Sequence, residues 1–175
     1  MLFITRCYTK NMKKDNVDKI IEQWARELPE LDASPMAVWG RLKRTVKHSE
    51  RRLAENFSLY QLNSGEFDVL ATLRRSGQEF KLKPTDLYQS LMITSGAITN
   101  RIDTLEKKGL VKRVHDNEDR RTIYVQLTEA GYELISRAVL SHTQTEESLL
   151  KGLTKEELAQ LDQLLKKLLC SLENQ

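Results

Sequence analysis

The residues whose types and spacing are most suggestive of chemistry lie between Thr94 and Arg121. The stretch TSGAITNRIDTLEKKGL, residues 94–110, places Ile98, Ile102 and Leu105 four and three apart, which is one stripe of a helix. Its first turn is nevertheless made of Thr94, Ser95 and Gly96, small groups and poor helix formers. With Ile98 at zero and about 100° per residue, Ile102, Leu105 and Gly109 cluster toward a core. Gly96, Asn100, Asp103 and Lys107 then point away, and Ser95 and Thr99 lie on one flank. A helix entering the major groove needs such a face, because bulky groups in its first turn would block approach to the bases. Free backbone N–H groups at that end attract phosphate. Asn100 and Thr99 are placed to read base edges and Lys107 to touch a phosphate. Asp103 either accepts from a cytosine amine or pairs with Lys107 at i+4, and the pair is the favoured expectation. Arg101 falls near 300°, on the opposite flank and close to the core boundary, away from the base-reading face.

The tip DNEDRR, residues 116–121, supplies Arg120 and Arg121, and arginine is the side chain that enters a narrow, strongly negative minor groove. Asp119, two residues before Arg121, is positioned to hold the Arg121 side chain. The bland alternative is a solvated turn whose charges cancel. A metal site in HDNED, residues 115–119, lacks the glycine and spacing of a calcium loop. His48, His115 and His142 stand apart in the sequence, and there is no GxGxxG, P-loop, HExxH or GxSxG. The chain reads as a non-enzyme, with no cofactor implied.

These groups need elements to carry them. Residues 12–28 have the pattern of a short amphipathic helix bearing Val17, Ile20, Ile21, Trp24 and Leu28, closed by Pro29. Ser34 is expected to cap the next helix, with Pro35 at its first position, and the stripe Trp39, Leu42, Val46, Leu53, Phe57 and Tyr60 carries it to about residue 60. Asn63 and Glu66 read as a capping box for a helix through Arg75, ended by Ser76-Gly77. Pro84 starts a short helix to about Met92, and a tight turn at Ile93-Thr94 leads into the 94–108 helix that Gly109 stops. Val111 to His115 and Ile123 to Leu127 alternate as two strands of a hairpin. Thr128 caps a helix to about Leu150, and Thr154 with Glu157 opens a last, leucine-rich helix to about Glu173. Helix, tight turn, helix and hairpin together make a winged helix-turn-helix, so the fold class is mainly α with a small β-hairpin wing.

The 175 residues, 39% hydrophobic and 30% charged with 7 Gly and 3 Pro, suit one helix-rich globular domain, or one domain plus an extension. No run is apolar for long enough to span a bilayer, and the opening MLFITRCYTKN is too polar for a signal peptide, so a cytoplasmic protein is expected. Residues 1–11 read as a disordered leader, with Met12 a candidate natural start. The net charge of +3 hides a local run, Arg41, Lys43, Arg44, Lys47, Arg51 and Arg52, which is either a solvated helix face or a contact for an anionic polymer. Cys7 and Cys170 have no CxxC spacing and read first as free thiols in a reducing compartment, second as redox sensors with Cys7 the stronger candidate.

The segments GEFDVLATLRRSG (65–77), SGAITNRIDTLEKKGLVKRV (95–114) and DNEDRRTIYVQLTEAG (116–131) closely resemble the MarR family of bacterial transcription regulators. The resemblance covers residues from about 17 to 172, and its most specific part is the D-x-R wing, Asp119 and Arg121. It implies a homodimer on double-stranded DNA, with dimerisation helices at 35–62 and 128–175 and the winged helix-turn-helix at 63–127. The N-terminal helix within 12–30, with EQWARELPELD followed by SPM, is similar to the urate-responsive branch of that family. That similarity implies four effector residues, Trp24, Asp68, Arg101 and Arg113, and a repressor released by urate or another small anionic aromatic molecule. Taken without the resemblance, Trp24 is a packing anchor, Asp68 a helix-start acid, and Arg101 and Arg113 members of an ion-pair set with Glu106 or Asp68. A thiol-based oxidant sensor on the same scaffold is the second reading, although the oxidant-responsive branch would place its cysteine around 34–40, where this chain has none. A non-specific basic helical scaffold is the third.

Overall fold

The computed structural model describes residues 13–91, 94–116, 119 and 121–174. They fall into two compact units, one ending at His48 and one beginning at Ser49.

In the first unit, helix α1 (Asn16–Glu27) starts later than the amphipathic pattern suggests, because Asp15 caps it. The Asp15 carboxylate accepts the N–H groups of Val17 (2.7 Å) and Asp18 (2.9 Å), and the Asp18 carboxylate accepts the Asp15 N–H at 2.8 Å. This reciprocal box satisfies donors that the first turn would otherwise leave bare. The Asp18 amide, followed by Arg41, holds the Asp15 carboxyl down at about 2. Arg41 comes from helix α2 (Ser34–Ser58) and binds Asp15 at 2.9 Å and Asp18 at 2.6 Å. The first residue of the basic run therefore closes a structural ion-pair set. Val17 is the buried anchor of α1 and lies against Gly40, where an added Cβ would stand 3.2 Å from its Cγ1. Ser34 does not cap α2 but is already part of it. The Asp32 carboxylate accepts the Ser34 N–H at 3.0 Å, and the Ala33 carbonyl accepts the first N–H groups of the helix. An aspartate two residues upstream makes this turn better than a serine hydroxyl does, which explains the displaced cap.

The second unit continues with the end of α2, then α3 (Ser64–Arg74), β1 (Lys81–Leu82), α4 (Pro84–Leu91), α5 (Ser95–Lys107), β2 (Val111–His115), β3 (Ile123–Leu127), α6 (Glu129–Leu150) and α7 (Lys155–Glu173). The strands form an antiparallel sheet in the order β1-β3-β2, with Val111 opposite Leu127 and His115 opposite Ile123. Strand β1 was not apparent from the sequence. It pairs only Lys81 and Leu82 with Gln126 and Val125, too short a run to show alternation.

The other caps expected from the sequence are present. Asn63 and Glu66 form a capping box on α3, Thr154 and Glu157 form one on α7, and Thr128 caps α6. Leu70, Leu73, Leu87, Ile98, Ile102, Leu105, Val125 and Ile135 are sealed from solvent and form one core beneath α5 and the hairpin. Helix α7 buries none of its residues in the single chain, and Leu164 and Leu169 are 65% and 55% exposed. No described helix is long and apolar enough to cross a membrane.

Candidate nucleic-acid interface and effector site

Helix α5 is positioned by burial of Ile98, Ile102 and Leu105, the stripe that its spacing marks out. Thr94 is the N-cap rather than part of the first turn. Its hydroxyl accepts the Ala97 N–H at 3.4 Å and its carbonyl accepts the Ile98 N–H at 3.2 Å. Ser95, Gly96, Thr99, Asn100 and Lys107 are all exposed, and a Cβ at Gly96 would meet nothing within 4 Å. The Thr99 hydroxyl donates to the Ser95 carbonyl at 3.0 Å, so toward a base it offers its acceptor lone pairs and methyl group.

The inner flanks of α5 are held by charge. Lys108, the C-cap, donates to both carboxylate oxygens of Glu66 at 2.8 Å and to the Gln61 carbonyl at 2.8 Å. Glu66 is only 3% exposed, so this bond ties the end of α5 to the first turn of α3. On the other flank, Arg113 of β2 binds Asp103 at 2.5 Å and also Glu106. Asp103 therefore pairs with Arg113 and not with Lys107. The planar fork of arginine engages two acids at once, while an exposed i,i+4 lysine pair in water contributes little.

Arg101 projects to the same flank as Lys108, with its guanidinium against Gly65 of α3. Asp68, three residues after Gly65 on α3, feels the positive charge of Arg101. Asp68 reaches solvent on one side, yet surrounding protein desolvates its carboxyl. Desolvation wins over Arg101, Arg75 and His142, and raises the carboxyl above its ordinary value. The structure thus groups Asp68 with Arg101 and places Arg113 against the opposite flank of α5. Trp24 belongs to the first unit, where it is 39% exposed while Val17 does the anchoring.

The base of the wing is a hydrogen-bonded loop. Asp116 accepts the Asp119 N–H at 3.0 Å; Asp119 accepts the Arg121 N–H at 3.0 Å and the Thr122 hydroxyl at 3.0 Å. Asp119 therefore braces the Arg121 backbone rather than its guanidinium, because an Asx turn closes over two residues more readily than a side-chain ion pair. Arg121 is exposed and enters no salt bridge among the described residues. Arg120, like Cys7, lies outside the described residues.

Two groups escaped the sequence reading. His142 stacks on Phe57 (5.5 Å) and lies 4.7 Å from Phe67, with Nε2 3.2 Å from Glu146. Arg74 lies over the Tyr132 ring at 4.4 Å and donates to Tyr132 and Ser136, joining α3 to α6. Apart from Glu146, which lies at i+4 from His142 on α6, these partners are brought together only by long-range packing, so local spacing carries no signal for them. Cys170 is exposed on α7. Among the described residues no cluster of His, Cys, Asp or Glu could hold a metal ion.

Comparison with known proteins places this geometry. Residues 62–123 match the MarR family profile. The chain is 40% identical over 149 residues to the HTH-type transcriptional regulator PecS of Dickeya dadantii, covering 85% of this chain and 90% of that protein. Among solved structures it is similar to a mutant MarR of Escherichia coli complexed with operator DNA (TM-score 0.68, 30% identity, 80% of this chain and 99% of that one). It is also similar to Bordetella bronchiseptica BpsR, whose DNA binding is regulated by 6-hydroxynicotinic acid (TM-score 0.65, 26% identity, 75% of this chain and 91% of that one).

Proposed function

We propose that this chain, which belongs to the MarR family of transcriptional regulators, works as a homodimeric repressor that a small anionic aromatic molecule such as urate releases from its operator. One observation supports the DNA-binding part most strongly: α5 buries Ile98, Ile102 and Leu105 and leaves Ser95, Gly96, Thr99, Asn100 and Lys107 open to a groove. Ser95 and Gly96 admit the first turn of α5 to the groove, with Thr94 capping it. Thr99 and Asn100 read base edges, and Lys107 neutralises a phosphate. Arg121, supported through its backbone by Asp119, enters the minor groove beside it, together with Arg120. Two copies present two such helices to one pseudo-palindromic site.

The effector reading rests on Asp68 and Arg101, a desolvated acid and an inward-facing cation on the helix that would touch DNA. The resemblance adds Trp24 to this reading as a stacking surface and Arg113 as a second cation. An anion that draws Arg101 must move α5 with it, and so binds the DNA-free state better.

The test of the DNA-binding part is operator affinity as a function of salt. Specific binding falls steeply with salt, because each neutralised phosphate releases counterions. Arg121→Ala is expected to weaken binding across sequences and to reduce the salt slope by about two, one for each wing of the dimer, with the oligomeric state intact. Affinity and slope unchanged by that substitution would remove the wing from the mechanism.

A further inference from the structure

The first turn of α3 contains a glycine that the helix itself does not call for. Gly65 is the second residue of α3, and its φ is not among the positive values, which belong to Gly77 and Gly109. Glycine is a poor helix former, so a residue that fills no conformational need here disfavours the helix. What Gly65 lacks is occupied by another side chain. A Cβ on Gly65 would stand 2.5 Å from Cζ and from Nε of Arg101, and 2.9 Å from its Nη2. The guanidinium lies in the space that any other residue would fill, and Gly65 is buried beneath it.

We propose that Gly65 is a positioning residue: its bare backbone is a notch in α3 that seats the Arg101 guanidinium and so sets the effector-free position of the inward cation of α5. This rests on the reading of Arg101 as an effector contact. The notch and Asp68 lie three residues apart, on one face of α3. A guanidinium leaving the notch therefore travels along a face that already carries an acid. An effector must draw Arg101 out of this seat, and the quality of the seat sets how much effector is needed.

The atoms that a side chain at 65 would strike are the far end of a flexible side chain and not backbone. Alanine, a better helix former, is therefore tolerated by the fold while it evicts the guanidinium. Gly65→Ala and Gly65→Ser are compared with the wild-type dimer, folding being checked by circular dichroism. Arginines are modified with phenylglyoxal and followed by peptide mass spectrometry, Arg113 serving as the internal reference. Arg101 is expected to react at least about threefold faster in both variants, as a side chain freed from a half-buried site does, with Arg113 unchanged. An unchanged Arg101 rate in both variants overturns the notch.

Urate is then titrated against each protein on operator DNA. The concentration releasing half the complex is expected to fall by about threefold or more in Gly65→Ala. Gly65→Ala is expected to add nothing further when Arg101 is already alanine. A shift that persists without Arg101, or an unmoved midpoint in a variant whose Arg101 has become reactive, overturns the regulatory role. If urate fails to release the wild-type protein, the effector reading falls, and the modification rates still decide the notch.

Discussion

Single residues carry opposing demands in this protein, and Asp68 shows it most clearly. Its carboxyl is raised above the ordinary value because desolvation outweighs the charges of Arg101, Arg75 and His142. A folded-state value above the unfolded one favours the protonated form. The resulting stability is present below the unfolded value and is lost as pH rises through the folded one. Ionised Asp68 therefore works against the fold near neutrality. Asp68→Asn is expected to melt at the same temperature as wild type or higher at pH 7, the difference narrowing toward pH 4, while the effector response is dulled. A variant that melts lower at pH 7 would contradict this account of Asp68.

Asp68 also marks how far residue spacing could be read. The inward flank of Arg101 followed from a helical angle, because Ile98, Ile102 and Leu105 fix the orientation of α5 whatever surrounds it. Its contact at Gly65 did not follow, since nothing local says that a glycine on another helix makes room for a guanidinium. The pairing of Asp103 departs from its local spacing for the same reason. Lys107 is the neighbour in sequence, and Arg113 is the neighbour in space.

At the scale of elements, helix starts were the most readable feature. The boxes at Asn63/Glu66 and Thr154/Glu157 are written in four consecutive residues, so local chemistry alone decides them. Features that need a distant partner were not readable. Strand β1 exists because β3 pairs with it, and Gln61 adopts a φ of 55° at the end of the α2 turn, where its carbonyl receives Lys108. The junction of α5, β2 and α6 is likewise settled at long range. The Thr128 hydroxyl donates to the Gly109 carbonyl at 2.8 Å, and the Thr128 N–H donates to the Leu110 carbonyl at 3.1 Å. Gly131, one turn on, lies so close that a Cβ would stand 1.9 Å from the Leu110 carbonyl oxygen. That obstacle is backbone and cannot rotate away. Gly131→Ala is expected to destabilise the protein by about 1–3 kcal/mol in urea unfolding, the cost of overpacking a tight junction. A loss below about 0.5 kcal/mol, the range of an ordinary surface change, would show that α6 stands off the junction.

At the scale of the whole molecule, the apolar surface left on α7 and on parts of α6 and α2 is the main unsatisfied term. Leu140, Leu164 and Leu169 are 67%, 65% and 55% exposed, and Leu59 is 76% exposed. Large exposed apolar surface on a single chain marks an interaction surface, and two copies joined through the terminal helices would cover it. Sedimentation is expected to give twice the chain mass for wild type, and the monomer mass for a Leu164→Glu, Leu169→Glu double variant. A monomeric wild type would contradict the dimer and, with it, the two-helix reading of the operator. The leucine stripe of α7 was visible in the sequence because its period is helical, whereas what covers it is a property of the assembly. DNA binding released by an anionic aromatic effector is measured by fluorescence anisotropy on the promoter fragment upstream of this protein's gene. Urate is titrated into the complex at fixed salt. Anisotropy is expected to fall to the value of free DNA as urate rises; a complex that persists at every urate concentration would contradict release by this effector.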